Sequence, residues 1–299
     1  MNEERRRILE MVADGTITPS EGARLLEALG SSGFGREKPS TPRRRSIIDA
    51  GAMLSEIGPM VQETMGEIFR GTRKSDMIEG IDFEESDSFE APLEQGTDIV
   101  ITGSMKKGAG ISVFLTASED DLIRAEVDGG GTVLHGEKNG KLFLSWKEGA
   151  IRVQLPETAG SVKVVSRGGS IHSEGIRIPM SMNTMGGGIT IVRPGASFSA
   201  KTMGGKLEML IDEAWNGNSK AKSMGGGVAV TLDGPVGVLI EASTLGGTID
   251  PGDLEHQVVS TSGGKRGGSK MSIAYGGSEE APRLAVSTMG GDIMIKGGN

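Results

Sequence analysis

A short motif recurs through the second half of the chain and limits what the chain can fold into. It is a Ser or Thr, one variable residue, two glycines, another variable residue, then a β-branched or aliphatic residue. It reads Ser166-Arg167-Gly168-Gly169-Ser170-Ile171, Thr184-Met185-Gly186-Gly187-Gly188-Ile189 and Thr202-Met203-Gly204-Gly205-Lys206-Leu207. It continues as Ser223-Met224-Gly225-Gly226-Gly227-Val228, Thr244-Leu245-Gly246-Gly247-Thr248-Ile249 and Thr288-Met289-Gly290-Gly291-Asp292-Ile293, with Ser262-Gly263-Gly264 a degenerate copy. The first glycines are separated by 18, 18, 21, 21, 17 and 27 residues.

A strand of five residues spans ~17 Å, so about 18 residues can lay down two or three strands and return. Successive units then stack ~4.8 Å apart and pair along their length. The six glycine pairs are read as structural corners, where a positive φ or close stacking excludes a side chain. Alternation predicts Thr facing outward and Met inward, so that Met185, Met203, Met224, Leu245 and Met289 form an internal column. Thin repeated layers also account for 49 glycines and only 3% aromatics in 299 residues. The expected fold class is mainly β: a β-solenoid or β-helix-like repeat stack over residues 76–299, with a small N-terminal helical hairpin and a second amphipathic helix. A dinucleotide-binding loop is excluded, because its GxGxxG occurs once, between a strand and a long helix. The run GGKRGGSK at 263–270 has the wrong order for a phosphate loop.

Residues 1–30 read as the hairpin. Ile8, Leu9, Met11 and Val12 give the first apolar face, and Asp14-Gly15 stops that helix. Thr18-Pro19-Ser20-Glu21 is a capping box for the second, which Gly30 ends. Residues 31–45 are a flexible linker of Gly, Ser, Pro and Arg. Within 46–72, Ile47, Ala50, Leu54, Ile57, Val61, Met65 and Ile68 share a helical face. This helix is expected to cap the first coil of the stack. Arg43, Arg44 and Arg45 before it suggest contact with a membrane or a partner. The acidic opposite face, with Asp49, Glu56, Glu63 and Glu67, speaks against anionic lipid.

The net charge of −8 is concentrated: residues 76–94 hold eight acids and no base. No basic stripe is visible, so nucleic acid is not an expected partner. The absence of Cys excludes thiolate chemistry and disulfides, and the charged residues 1–10 lack a signal-like apolar stretch. The expected location is cytoplasmic, with the inner face of the membrane as a peripheral alternative.

The hairpin followed by repeated T-x-G-G/D-x-I strands resembles the bacterial toastrack family of putative-adhesin β-strand-repeat proteins. Gly291-Asp292-Ile293 keeps that family's usual strand motif, and Met-Gly-Gly replaces much of it elsewhere. The hairpin is similar to the SHOCT-like bihelical unit, in Arg7-Ile8-Leu9-Glu10-Met11-Val12, Gly15-Thr16-Ile17-Thr18 and Ala23-Arg24-Leu25-Leu26. The resemblance implies a cell-envelope-stress setting, a scaffold-like role near membrane proteins, and no catalytic residues.

No catalytic, metal or cofactor site is expected. His135, His172 and His256 are isolated in sequence, and Glu208, Asp212, Asp233, Asp250 and Asp292 lie near corners of different coils. Three functions compete: a non-catalytic interaction scaffold, a peripheral membrane stress component anchored by residues 43–70, and a carbohydrate-binding or adhesive β-helix. Protein partners are expected, including self through the hairpin or the last coil. That coil, ending at residue 299 without a cap, marks Met294 for self-association.

Overall fold

The computed structural model describes residues 80–103, 112–146, 149–262, 268–276 and 281–298. The hairpin at 1–30, the linker at 31–45 with Arg43, Arg44 and Arg45, and the helix at 46–72 lie outside the described residues.

The described chain enters through two short strands, β1 (Glu84–Ser86) and β2 (Ser88–Pro92). The first strand–turn–strand unit is β3 (Asp98–Gly103) with β4 (Val113–Ala117). A detour through β5 (Leu122–Val127) and β6 (Val133–Lys138) leads to the second, β7 (Lys141–Trp146) with β8 (Ile151–Leu155). Two units follow directly, β9 (Ser161–Ser166) with β10 (Ile171–Glu174) and β11 (Met180–Thr184) with β12 (Ile189–Val192). Next come β13 (Phe198–Thr202) with β14 (Leu207–Asp212) and β15 (Ser219–Ser223) with β16 (Val228–Asp233). The seventh is β17 (Val238–Thr244) with β18 (Ile249–Asp250). A hairpin, β19 (His256–Ser262) and β20 (Ser269–Tyr275), separates it from the last, β21 (Arg283–Thr288) with β22 (Ile293–Gly297).

The first strand of every unit lies in a 12-stranded sheet and the second in a 10-stranded sheet. Units pair parallel and in register. On the smaller sheet Ile151, Val113, Ile171, Ile189, Leu207, Val228, Ile293 and Ile249 align across all eight units. On the larger sheet Leu144, Ile101, Val164, Met182, Ala200, Ala221, Val286 and Ala242 do the same. All sixteen but the half-buried Ile249 are buried. These inward columns are the period-two alternation of each strand carried up the stack, and they form the main hydrophobic core.

Each glycine pair occupies the turn between the two sheets, and the phase there is the reverse of the one expected from the sequence. Ser166, Thr184, Thr202, Ser223, Thr288 and Thr244 face inward and are buried, whereas Leu245 is 38% exposed and Met185, Met203, Met224 and Met289 are half-buried outside. The reason is a hydrogen-bond ladder. Thr202 Oγ1 accepts from Gly205 N–H at 3.1 Å within its own turn and donates to the Gly187 carbonyl at 2.7 Å in the neighbouring unit. Thr184, Ser223, Thr288 and Thr244 repeat both bonds, donating to the carbonyls of Gly169, Gly205, Gly226 and Gly291. A hydroxyl facing outward would leave buried backbone groups unpaired. Thr202→Val keeps the shape and removes both bonds. It should cost about 1–3 kcal/mol in denaturant unfolding, and an unchanged midpoint would refute the ladder's contribution.

The order in space departs from the order in sequence at both ends. The unit β7–β8 lies outside β3–β4, and β9–β10 returns to the other side of β3–β4. At the far end β21–β22 inserts between β15–β16 and β17–β18. Met294, expected at an open terminal edge, is therefore interior to its sheet: it pairs with Ala229 on one side and Asp250 on the other. Its side chain is half-exposed on the outer face, but the unpaired edge that marked it for self-association does not exist there.

Antiparallel strands finish both ends. At one end β6 and β1 extend the larger sheet and β5 and β2 the smaller, so the coil edge that the N-terminal helix was expected to cover already carries strands. The acidic run supplies those outermost strands, and Glu84, Glu85, Glu90 and Pro92 blunt them. At the other end the smaller sheet stops at the two-residue β18, and the hairpin β19–β20 closes the larger sheet. Tyr275 in β20 is buried and donates its hydroxyl to the Pro251 carbonyl at 2.7 Å. Burial, with a smaller contribution from Asp250, pushes the phenol up to about 12. Its folded state holds the proton more tightly than the unfolded chain, whose phenol titrates near ~10. Stability from this group is thus complete below about pH 10 and is lost as pH rises toward 12. It is the sole tyrosine, so absorbance titration reads it alone. Native ionisation near 10 would contradict the buried hydrogen-bonded phenol.

Candidate functional site

The polar groups that the sequence offers for chemistry are spread out and locally engaged. His135 stacks on Phe89 at 4.4 Å, His172 lies beside Phe114 at 6.0 Å, and His256 Nδ1 is 2.6 Å from the Leu254 carbonyl oxygen. Glu208 pairs with Lys206 at 2.6 Å, and Asp250 accepts the Gly252 N–H. Asp292 accepts both the N–H and the hydroxyl of Thr248, which holds its carboxyl below the usual range. Of the five acids singled out, the register brings Asp212 and Asp233 together, and Arg193 bridges them at 3.7 and 3.0 Å. Among the described residues no group of three or more His, Cys, Asp or Glu could hold a metal ion.

The corners are places of close backbone approach. A Cβ at Gly187, Gly205, Gly226 or Gly247 would lie 2.1–2.2 Å from a carbonyl oxygen of the adjacent turn, and at Gly291 2.5 Å from a backbone nitrogen. At the first glycine of each pair, Gly186, Gly204, Gly225, Gly246 and Gly290, the nearest atom is 3.2–3.5 Å away. None of these ten has a positive φ, so stacking, and not a left-handed turn, is what excludes a side chain, and it does so at the second glycine of each pair. These glycines shape the stacked turns.

The surface with functional character is one the linear sequence hides. Outward positions of the larger sheet align as Val100, Lys163, Ser181, Ser199 and Lys220, and beside them Thr102, Val165, Asn183, Lys201 and Lys222. Val100, Lys163, Ser181, Ser199, Lys201, Lys220 and Lys222 line a groove of about 540 Å³ whose wall also holds Lys141, Ser161, Ser197 and Asn218, and Val165, Asn183 and Lys201 are buried. Asp98 is the one carboxylate in the lining, and it is already engaged: Lys141 Nζ donates to it at 2.8 Å and Ser161 Oγ at 2.6 Å. The Lys141 bond first, then Ser161, holds Asp98 below its ordinary value. Lys163, Lys201, Lys220 and Lys222 come from three strands that are well separated in sequence, so no basic run marks them. Their signal is the repeat register: each falls two or four residues before, or at the position equivalent to, a motif residue. The register sets the buried Lys201 directly opposite Lys222. At the groove's far margin residues 80–83 cross the same face, where Ile81 and Phe83 pack on Val100 and Phe143.

The smaller sheet's outer face is different in kind. Arg152 caps the Phe114 ring at 4.8 Å and is held by Asp128, while Arg124 is held by Asp120 and Glu90. A cavity of about 430 Å³ there has its charges balanced by these pairs.

With the geometry in place, comparison with known proteins adds one assignment. Residues 3–33 match the model of the SHOCT-like domain. The match covers the stretch in which the hairpin motif resides. No curated protein matches the chain. Solved structures similar to it include two putative adhesion proteins. One is a "putative cell adhesion protein" from Clostridium sporogenes, 16% identical, covering 73% of this chain and all of that one, with a TM-score of 0.38. The other is a "putative adhesin" from Bacteroides fragilis, 10% identical, covering 72% of this chain and 97% of that one, with a TM-score of 0.24. No helix among the described residues is long and apolar enough to cross a membrane.

Proposed function

We propose that this chain is a non-catalytic interaction scaffold, a β-solenoid whose larger sheet presents its outer face to a protein partner. The observation that carries this reading is the groove, where the accessible Lys163 and Lys220 stand near Lys141, which Asp98 engages, on a chain of net charge −8. Charge separated this way raises the local concentration of an oppositely charged partner and orients it. The rigid, hydroxyl-laddered stack keeps those side chains in a fixed array, which suits recognition without a conformational change. A cell-envelope-stress role, which rests on the toastrack resemblance alone, and a cytoplasmic location, with the inner face of the membrane as the peripheral alternative, extend the proposal.

The test is site-specific photo-crosslinking in cells, with the photoreactive residue at Ser199 on the larger sheet or at Thr190 on the smaller. A discrete adduct from Ser199 is expected. The absence of protein adducts from both positions would overturn the scaffold reading.

A further inference from the structure

We propose that residues 59–70 of this same chain pack as a helix on the outer face of the larger sheet, over Val165, Asn183 and Lys201. The inference goes beyond the scaffold reading and does not depend on it. Residues 59–70 lie outside the described residues, so what carries it is the burial of the surface they would cover. Val165, Asn183 and Lys201 align at one outward position of β9, β11 and β13, yet they are only 6%, 7% and 5% exposed. In the next outward column Lys163, Ser181 and Ser199 are half-buried and Lys220 is exposed. One column is covered and its neighbour is open.

The described residues do not account for that cover. Val165 belongs to neither of their hydrophobic clusters, although it is as buried as members of both. Lysine is almost never so buried without a partner, and Lys201 is engaged. Asp98, the one carboxylate of the groove lining, is held by Lys141 and Ser161. The cover must therefore bring both apolar side chains and acid to this column.

Two segments are near enough to supply it. Between β3 and β4 the chain has nine residues, 104–112, where the corner between β11 and β12 has four. Lys106 and Lys107 are the only charges in that stretch, so over Lys201 it would set like charge against buried charge. The other segment precedes residue 80. Val61, Met65 and Ile68 share one helical face, and Pro59 suits the first helical position. Glu63, Glu67, Asp76 and Glu79 supply acid within it and in the stretch that joins it to residue 80. The dimensions agree as well. Val61 to Ile68 spans about 10 Å of helix, and Val165 to Lys201 spans two strand spacings, also about 10 Å. The described chain begins on this same face, where Ile81 lies over Gly136 of β6 and against Val100 and Phe143. From β6 to β11 is four strand spacings, ~19 Å, and the ten residues from 70 to 80 reach up to ~33 Å. A helix placed there walls one side of the Lys163–Lys220 column and leaves that column to a partner.

The chain has no Cys, so a single engineered thiol reports on one position in the full-length protein. Asn183→Cys and the inward Val164→Cys should both react with a maleimide roughly a hundredfold more slowly than Lys220→Cys in the open column. Val61→Asp with Ile68→Asp should speed the reaction of Asn183→Cys at least tenfold. The same pair should leave Val164→Cys slow, which an unfolded variant could not do. Replacing residues 104–112 by Met-Gly-Gly-Gly, the sequence at 185–188, should leave Asn183→Cys protected. Asn183→Cys reacting within twofold of Lys220→Cys in the full chain overturns the proposal, and so does protection that survives both aspartates. Opening by the 104–112 replacement alone would assign the cover to that corner and overturn it too.

Discussion

Gly205→Ala is expected to destabilise the protein by about 3 kcal/mol or more, while Gly204→Ala, one residue earlier, should stay within about 0.5 kcal/mol. The two positions look equivalent in sequence and are unlike in space. A Cβ on Gly205 would sit 2.1 Å from the Gly187 oxygen, 2.3 Å from its carbonyl carbon and 2.4 Å from the Gly188 nitrogen. All three are backbone atoms of the neighbouring unit, so relief requires the units to separate. Separation stretches the Thr202–Gly187 bond and the parallel pairing on either side of it. A Cβ on Gly204 would meet Gly186 and Met185 oxygens at 3.5 Å, an ordinary contact. The same asymmetry should appear between Gly226 and Gly225, softened because the Gly225 Cβ would lie 3.2 Å from the Met203 oxygen. Urea unfolding of the four single variants checks this. Equal losses at both members of a pair would show that backbone freedom, and not stacking, selects these glycines.

That contrast shows what the repeat could and could not reveal. Six recurrences of a Gly-Gly step were enough to place stacked corners between short strands, because no side chain can occupy a contact made in every unit. They could not say which glycine makes it, since both are invariant within the motif. The inward phase of Thr184, Thr202 and Ser223 follows from alternation with the buried Met182, Ala200 and Ala221 two residues earlier in the same strands, and the expectation of an inward methionine column set that phase one residue off. The offset itself held a usable signal. A hydroxyl three residues before a glycine N–H is the spacing of a local side-chain-to-backbone bond. The lysine groove was invisible for another reason. Lys163, Lys201 and Lys220 are separated by 38 and 19 residues and converge only once the register is known. The engagement of Asp212 and Asp233 by Arg193 is likewise a product of stacking, not of sequence proximity.

The position of the last unit leads to the largest expected effect. A chain ending at residue 280 lacks β21–β22, which in the full chain lies between β15–β16 and β17–β18. Stacking in sequence order would move β17–β18 into the vacated slot, and Thr244 with Gly246-Gly247 could serve that corner. The smaller sheet prevents an equivalent fit. β22 covers β16 from Val228 to Leu232, whereas β18 ends at Asp250 because Pro251 has no N–H to donate and Gly252 turns at φ 69°. Substitution by β18 would leave Val230 and Leu232, buried in the full chain, beside an unpaired edge. β17 in turn would lose its parallel pairing to β21 over six residues and remain joined to β20 alone. The truncated chain should therefore lose order through residues 238–276 and not only the deleted unit. Hydrogen exchange should show protection there falling about a thousandfold, or about 4 kcal/mol of opening free energy. Tyr275 should then titrate near ~10 in place of about 12. Retained protection across residues 238–244, with the tyrosine still shifted, would mean that β17–β18 does take the slot and that the inserted unit is dispensable.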